Sequence, residues 1–168
     1  MSGTGEGEPV KYIDPATKTD ELQALPDGVA AELEAHRLQY LTDPVAAHMW
    51  DPIVIGVPGG PVKCLLLTYK GRKSGRTLTT ALQYYTLGDQ IAIVGSRGGT
   101  IEHPVWYLNL VDEPKCHIQV GADGRDAVAR TVTGAEREAW WAMVTAEQPE
   151  QAVYQTRTTR EIPVVVMD

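Results

Sequence analysis

The run Val62-Lys63-Cys64-Leu65-Leu66-Leu67-Thr68-Tyr69 restricts the fold more than any other segment of the chain. A near-continuous apolar stretch of this length suits a strand covered on both faces, because alternate side chains point to opposite sides. The chain must then supply an apolar layer on each side of it. Directly after it comes Lys70-Gly71-Arg72-Lys73-Ser74-Gly75-Arg76, and then a second strand-like run, Thr77 to Leu87, rich in Thr and Tyr. The two runs read as a hairpin with a basic loop. The net charge is −7, yet four of the 15 Lys and Arg lie in those seven loop residues. Such a cluster is favourable only where it is solvated or faces an anion. Its two glycines let the backbone turn and expose N–H donors, and arginine forks onto carboxylate or phosphate oxygens.

The remaining pattern is mixed. Pro26-Asp27 offers a helix start, with Val29, Leu33, Leu38 and Leu41 at roughly helical intervals. Asp43-Pro44 predicts an N-cap and first helical position, opening a short helix towards Trp50. Ile53-Val54-Ile55 predicts a brief strand, followed by a turn. Gly88-Asp89 is a hairpin turn into a strand over Gln90 to Gly95. The loop Ser96-Arg97-Gly98-Gly99 leads to a helix that starts at His103-Pro104 and runs to about Val111 before Pro114. Cys116 to Val120 and Arg125 to Val132 pair across a glycine-bearing turn. Thr133-Gly134-Ala135-Glu136 has the spacing of a capping box, opening a helix with Trp140, Trp141 and Val144. Tyr154 to Arg160 predicts a helical turn, and Ile162 to Met167 a closing strand that Pro163 confines to an edge or to a strand start. The fold class is α+β: a single-domain, mostly antiparallel barrel of six to seven strands with peripheral helices. The expected organisation is a disordered tail over 1–20, helices and lead-in over 21–61, and the barrel over 62–168.

Bulk properties exclude several classes. No apolar run approaches the roughly 20 residues of a membrane span, so no integral membrane segment is expected. The Gly- and Glu-rich start lacks the order of a signal peptide. Cys64 and Cys116 have no CxxC spacing, and a reduced, cytoplasmic setting follows. The acidic balance argues against nucleic-acid partners. His48 and His103 have no partner at metal-ligand spacing, so no metal site is expected. Lys73-Ser74 superficially echoes a nucleotide P-loop, but Leu67 stands where its first glycine belongs.

Taken in order, Gly71-Arg72-Lys73-Ser74-Gly75, Ser96-Arg97-Gly98-Gly99, His103-Pro104-Val105-Trp106-Tyr107-Leu108-Asn109-Leu110 and Arg160-Glu161-Ile162-Pro163-Val164-Val165-Val166 resemble the deazaflavin-dependent nitroreductase family. The resemblance covers roughly Val62 to the C-terminus. It implies a split β-barrel of the FMN-binding-like kind that binds coenzyme F420, an 8-hydroxy-5-deazaflavin with a phospholactyl and oligoglutamate tail. By position, Arg72, Lys73 and Ser74 would grip the tail, with Arg76 as a further candidate. Leu78, Thr79, Thr80, Ala81 and Leu82 would run under the ring. Val94, Gly95, Ser96 and Arg97, then Val105, Trp106, Tyr107, Leu108 and Asn109, would form the other two binding segments. Micromolar binding needs about −8 kcal/mol. Three or four charge-assisted hydrogen bonds at about 1.5–3 kcal/mol each supply that scale once association costs are met.

The substrate side departs from the nitroimidazole-activating relatives. Gln83, Gln148 and Gln151 stand where those proteins have pocket tyrosines, Arg157 replaces a tryptophan, and Tyr154 alone remains tyrosine. With Trp50, the three glutamines form the expected substrate pocket, and Tyr154 is a proton donor or a pocket wall. The expectation is a monomeric reductase that delivers a hydride to an electron-poor C=C, enone or quinone, with nitro reduction demoted. The alternatives are a non-catalytic carrier of F420 or of an apolar ligand, and an FMN-binding split-barrel oxidoreductase. A single FMN phosphate would leave the charge of the basic loop in excess.

Overall fold

The computed structural model describes residues 27–168; the expected tail over 1–20 and the first residues of the lead-in lie outside them. Helix α1 (Asp27–Thr42) and the short α2 (Pro44–Ala47) precede β1 (Met49–Trp50) and a 3-10 turn, Pro52–Ile55. The hairpin β2 (Val62–Lys70) and β3 (Thr77–Leu87) is followed by β4 (Gln90–Val94), α3 (Val105–Asp112), β5 (Lys115–Val120) and β6 (Asp123–Thr131). Helices α4 (Gly134–Glu147) and α5 (Glu150–Thr156) lead into β7 (Val164–Met167).

Strand β2 is what closes the sheet. It pairs antiparallel with β3 from Cys64 to Lys70 and with β5 from Leu65 to Thr68. The remaining order β3-β4-β7-β6-β5 completes a six-stranded antiparallel barrel, with β1 added beside β2. The apolar run behaves as a strand covered on both faces should. Leu65 and Leu67 point into the barrel with Tyr84, Ile93, Ile118, Val165 and Met167, where Trp106 and Leu110 of α3 plug one end. Cys64 and Leu66 face outward beneath Tyr40 and Ala47. The Tyr40 hydroxyl donates to the Cys64 carbonyl and accepts from the Gly121 amide, so α1 is pinned to β2 and to the β5–β6 turn. A second outer layer packs Trp140 and Val144 of α4 on Tyr85, Val164 and Val166.

Four local expectations change. Ile53 to Ile55 is a 3-10 turn rather than a strand, because the Asp51 carboxylate caps Ile53 N–H, Pro52 starts the turn and Gly56 ends it at φ 87°. Met49-Trp50, expected on a helix, pairs instead with Val62-Lys63. Thr133 sits at an N-cap but makes no capping bond with its side chain, and Glu136 is held by Arg130 at 2.8 Å, so no capping box forms. The last helix begins at Glu150, before Tyr154. Asp43 caps as expected, accepting from Ala46 N–H. Pro163 stands just before β7, which lies between β4 and β6, so the strand-start reading holds and the edge reading does not.

Because Leu65 is fully buried on the strand that closes the barrel, Leu65→Ala should cost about 2–5 kcal/mol, as large-to-small core changes do. A lowered urea midpoint with an unchanged m-value is the expected reading.

Candidate functional site

Strand β3 bends between two partners. It pairs with β2 from Thr77 to Gln83 and with β4 from Tyr84 to Leu87. Over Thr77 to Gln83 its second edge therefore has no strand partner among the described residues. A cavity of about 560 Å3 opens along that edge, within the range of ligand sites in general. One wall is Thr79, Thr80, Ala81 and Leu82; the opposite wall is Val94, Ser96 and Arg97 with Pro104, Val105 and Trp106 at the start of α3. Three of the segments, far apart in sequence, thus line one cavity.

The remaining expected coenzyme residues do not line the cavity. Arg72, Lys73, Ser74 and Arg76 form the exposed turn between β2 and β3, and Leu78 packs near its Gly71. The turn is tight: a Cβ on Gly71 would stand 2.8 Å from Ser74 Oγ. Asn109 is buried, and its Oδ1 accepts from both the backbone N–H and the guanidinium of Arg72, at 2.9 and 3.0 Å. It therefore ties the basic loop to α3. Tyr107 turns its hydroxyl to Thr131, and Leu108 lies on the same short helix without reaching the cavity. Gly95 cannot carry a side chain here, since a Cβ would stand 2.8 Å from Pro163.

Loop 95–100 is held from behind by Arg160. Its guanidinium donates to the carbonyls of Thr100, Gly95 and Ser96 at 2.8, 3.1 and 2.8 Å and lies 3.2 Å from His103 Nδ1. Burial, and then the charge of Arg160, holds His103 below the ordinary histidine range. Among the described residues only Arg97, apart from glycines, has positive φ, at 45°. Backbone strain of that kind is typically kept at functional sites. Gly99 lies so close to Tyr154 that a Cβ would collide with its carbonyl.

Helix α1 supplies a wall that the sequence pattern did not assign. Ala30, Leu33, Glu34 and Arg37 line the cavity, at the spacing of one helical face. Arg37 donates to Glu34 and, at 2.9 Å, to Thr79 Oγ1. That i, i+3, i+4, i+7 set was the available signal.

A smaller chamber of about 110 Å3 adjoins the cavity and shares Leu33, Ile55, Ala81, Gln83, Ser96 and Gln151 with it. All four expected substrate residues, Gln83, Gln148, Gln151 and Trp50, line it, and so does Tyr154. Trp50 stacks on His36 at 4.8 Å, and burial holds that imidazole below its usual range. Gln151 Nε2 donates to the Tyr85 hydroxyl at 3.2 Å, and burial pushes that phenol well above the ordinary tyrosine value. Gln83 Nε2 and Gln151 Oε1 are buried without a hydrogen-bond partner. Among the described residues no cluster of His, Cys, Asp or Glu could hold a metal, and no helix is long and apolar enough to cross a membrane.

This is a split-barrel architecture with a large cavity on the open strand edge and a smaller chamber adjoining it. Residues 46–168 match the F420H(2)-dependent quinone reductase family, and the chain belongs to it. Coenzyme F420 is the cofactor of that family. An F420H(2)-dependent quinone reductase of Mycobacterium tuberculosis is 37% identical over 114 residues, covering 66% of this chain and 76% of the relative. The solved structure of an F420-H2 dependent reductase, FDR-A, superposes with a TM-score of 0.58 at 37% identity, covering 62% of this chain and 93% of that one. A structure described as a domain-swapped dimer gives a TM-score of 0.60 at 29% identity, covering 83% and 99%. The chain is an F420-dependent oxidoreductase. The donor set fits that cofactor: an open strand edge and an apolar wall for a flat heterocycle, and a cationic turn for a polyanionic tail.

Arg160→Met removes the donors from three loop carbonyls. Leaving such groups unpaired should cost at least about 2 kcal/mol. Faster amide exchange confined to residues 95–103, read by mass spectrometry, is the expected signature.

Proposed function

We propose that this protein reduces quinones and, more slowly, other ring acceptors with an activated C=C, using reduced F420 bound along the open edge of β3. The observation that carries this reading is the junction of the two spaces. The 560 Å3 cavity and the 110 Å3 chamber share Ala81, Gln83, Ser96 and Gln151. A ring in the first therefore faces the reacting edge of an acceptor that enters the second. The cofactor supplies a hydride from its reduced deazaflavin carbon, and a proton completes the two-electron reduction of the acceptor.

In this reading the chain's own residues bind, orient and exclude water. Arg72, Lys73, Ser74 and Arg76 hold the anionic tail, and Asn109 sets the direction of that loop through Arg72. The backbone of Leu78 to Leu82 and loop Gly95 to Arg97, fixed by Arg160, frame the heterocycle. Trp106 and Val105 close the apolar side. Tyr154, buried on α5 and lining the chamber, offers its hydroxyl as the proton source. Positioning of this kind accounts for a large share of catalysis in cofactor enzymes. FMN is the weaker candidate because one phosphate would leave most of the loop's charge unmatched.

Fluorescence titration with oxidised F420 and with FMN tests the coenzyme assignment. Arg72→Glu with Lys73→Glu should weaken F420 binding at least ~100-fold, the effect of losing two or more charge-assisted contacts. An unchanged dissociation constant would remove the loop from the site. In turnover with menadione, Tyr154→Phe should lower kcat roughly 10²-fold or more with little effect on KM, as loss of a general acid does. Full turnover in that variant assigns Tyr154 to the wall alone.

A further inference from the structure

Three cavities meet at one side chain. Gln83 lines the coenzyme cavity, the inner chamber and an outer cleft of about 610 Å3. It is the last β3 residue paired with β2, opposite Cys64, just before β3 crosses to β4. Its Nε2 is buried with no hydrogen-bond partner. Native proteins rarely leave such a donor unmet, and a ligand oxygen is one way to complete it.

Volume limits what the inner chamber can take. An apolar cavity of roughly 150 Å3 holds benzene, whereas this chamber is about 110 Å3. It admits less than one aromatic ring. With the coenzyme ring in the larger cavity, the rest of an acceptor extends past Val62, Gln148 and Glu150, which line both the chamber and the outer cleft.

The cleft has a distinct chemistry. Met49, Pro58, Pro61 and Val62 give it an apolar side, and Glu147 and Glu150 place two carboxylates on the other. Lys63, its one lysine, turns its ammonium to Thr86 Oγ1 at 3.1 Å and to the Tyr84 ring at 5.2 Å. His48 also lines the cleft, 2.7 Å from the Tyr84 hydroxyl, and with two carboxylates against one ammonium the balance disfavours an anionic guest.

We propose that the outer cleft is a second acceptor subsite. The acceptor's ring carbonyl takes its hydrogen bond from Gln83, the reacting edge enters the inner chamber, and the ring's substituent lies in the cleft. The acceptors it fits are ring carbonyl compounds with an extended neutral or cationic substituent, and carboxylate-bearing ones are disfavoured. This inference rests on the coenzyme placement proposed above.

The test uses three 1,4-naphthoquinones with one ring and different 2-substituents: methyl, a chain ending in a neutral amide, and the same chain ending in a carboxylate. Dissociation constants are measured by quenching of protein fluorescence in the complex with oxidised F420, and kcat/KM with the reduced coenzyme. The amide compound should bind at least ~10-fold tighter than the methyl compound, since remote binding energy adds to that of the ring. The carboxylate should bind several-fold more weakly than the amide, as like charges predict. Met49→Asp should bring the amide-to-methyl ratio towards one. Gln83→Met should weaken all three compounds and preserve the ratio. F420 titration of each variant checks that it is folded. Equal affinities across the series, or a ratio untouched by Met49→Asp, overturns the subsite. Loss of turnover with the binding ratio intact overturns the reductase reading and leaves the subsite standing.

Discussion

Everything in this molecule depends on β2 being bonded on both edges and packed on both faces. Its ladders to β3 and β5 close the barrel. Its inward leucines fill the interior, while Cys64 and Leu66 receive the N-terminal helices outside. With β2 fully occupied, β3 must serve two neighbours in succession. The handover at Gln83 and Tyr84 leaves a length of β3 with one open edge. The cavity is a consequence of that closure, and no separate domain is needed to make it.

An open strand edge would normally be a liability, because unpaired N–H and C=O groups invite another strand. Here it is covered on the far side by loop 95–100 and α3, and by α1 above. Arg160 keeps the loop in place through three carbonyls. None of the described ion pairs includes it, so its close partners are those carbonyl oxygens, with the Glu102 carboxylate adding a longer-range attraction. Burial accordingly lowers its proton affinity. Arg37 plays the corresponding part on α1, joining Glu34 to Thr79. In the function proposed for a member of the F420H(2)-dependent quinone reductase family, this frame holds a flat heterocycle between an edge and two walls.

Polar groups are distributed unevenly around the site. The turn fixed by Asn109 carries exposed cations, whereas the inner chamber carries glutamines whose amides are buried and partly unmatched. Cations bind charge over a distance and tolerate an adaptable partner. Buried amides demand an oxygen or an N–H at a definite place, and a site of that kind rejects analogues that lack it. Under the proposed assignment the two ends select in different ways, one for a polyanion and the other for hydrogen-bonding pattern and shape.

The sequence by itself determined the strand that must be covered on both faces, the basic turn and the helix starting after Pro104. Each follows from local periodicity, turn chemistry or charge, which are properties of neighbours along the chain. Motif order also pointed to the family, and the segments so marked do meet around one cavity. The pairing of Met49-Trp50 and the missing capping box were not legible, because a strand partner and an arginine decided them; the 3-10 turn at Pro52–Ile55 had local signals in Asp51, Pro52 and Gly56, which the apolar run Ile53-Val54-Ile55 masked. Only the tertiary structure brought α1 over β3, set Arg160 behind the loop and joined three spaces at Gln83. Those arrangements depend on barrel closure, which places residues far apart in sequence within hydrogen-bond distance.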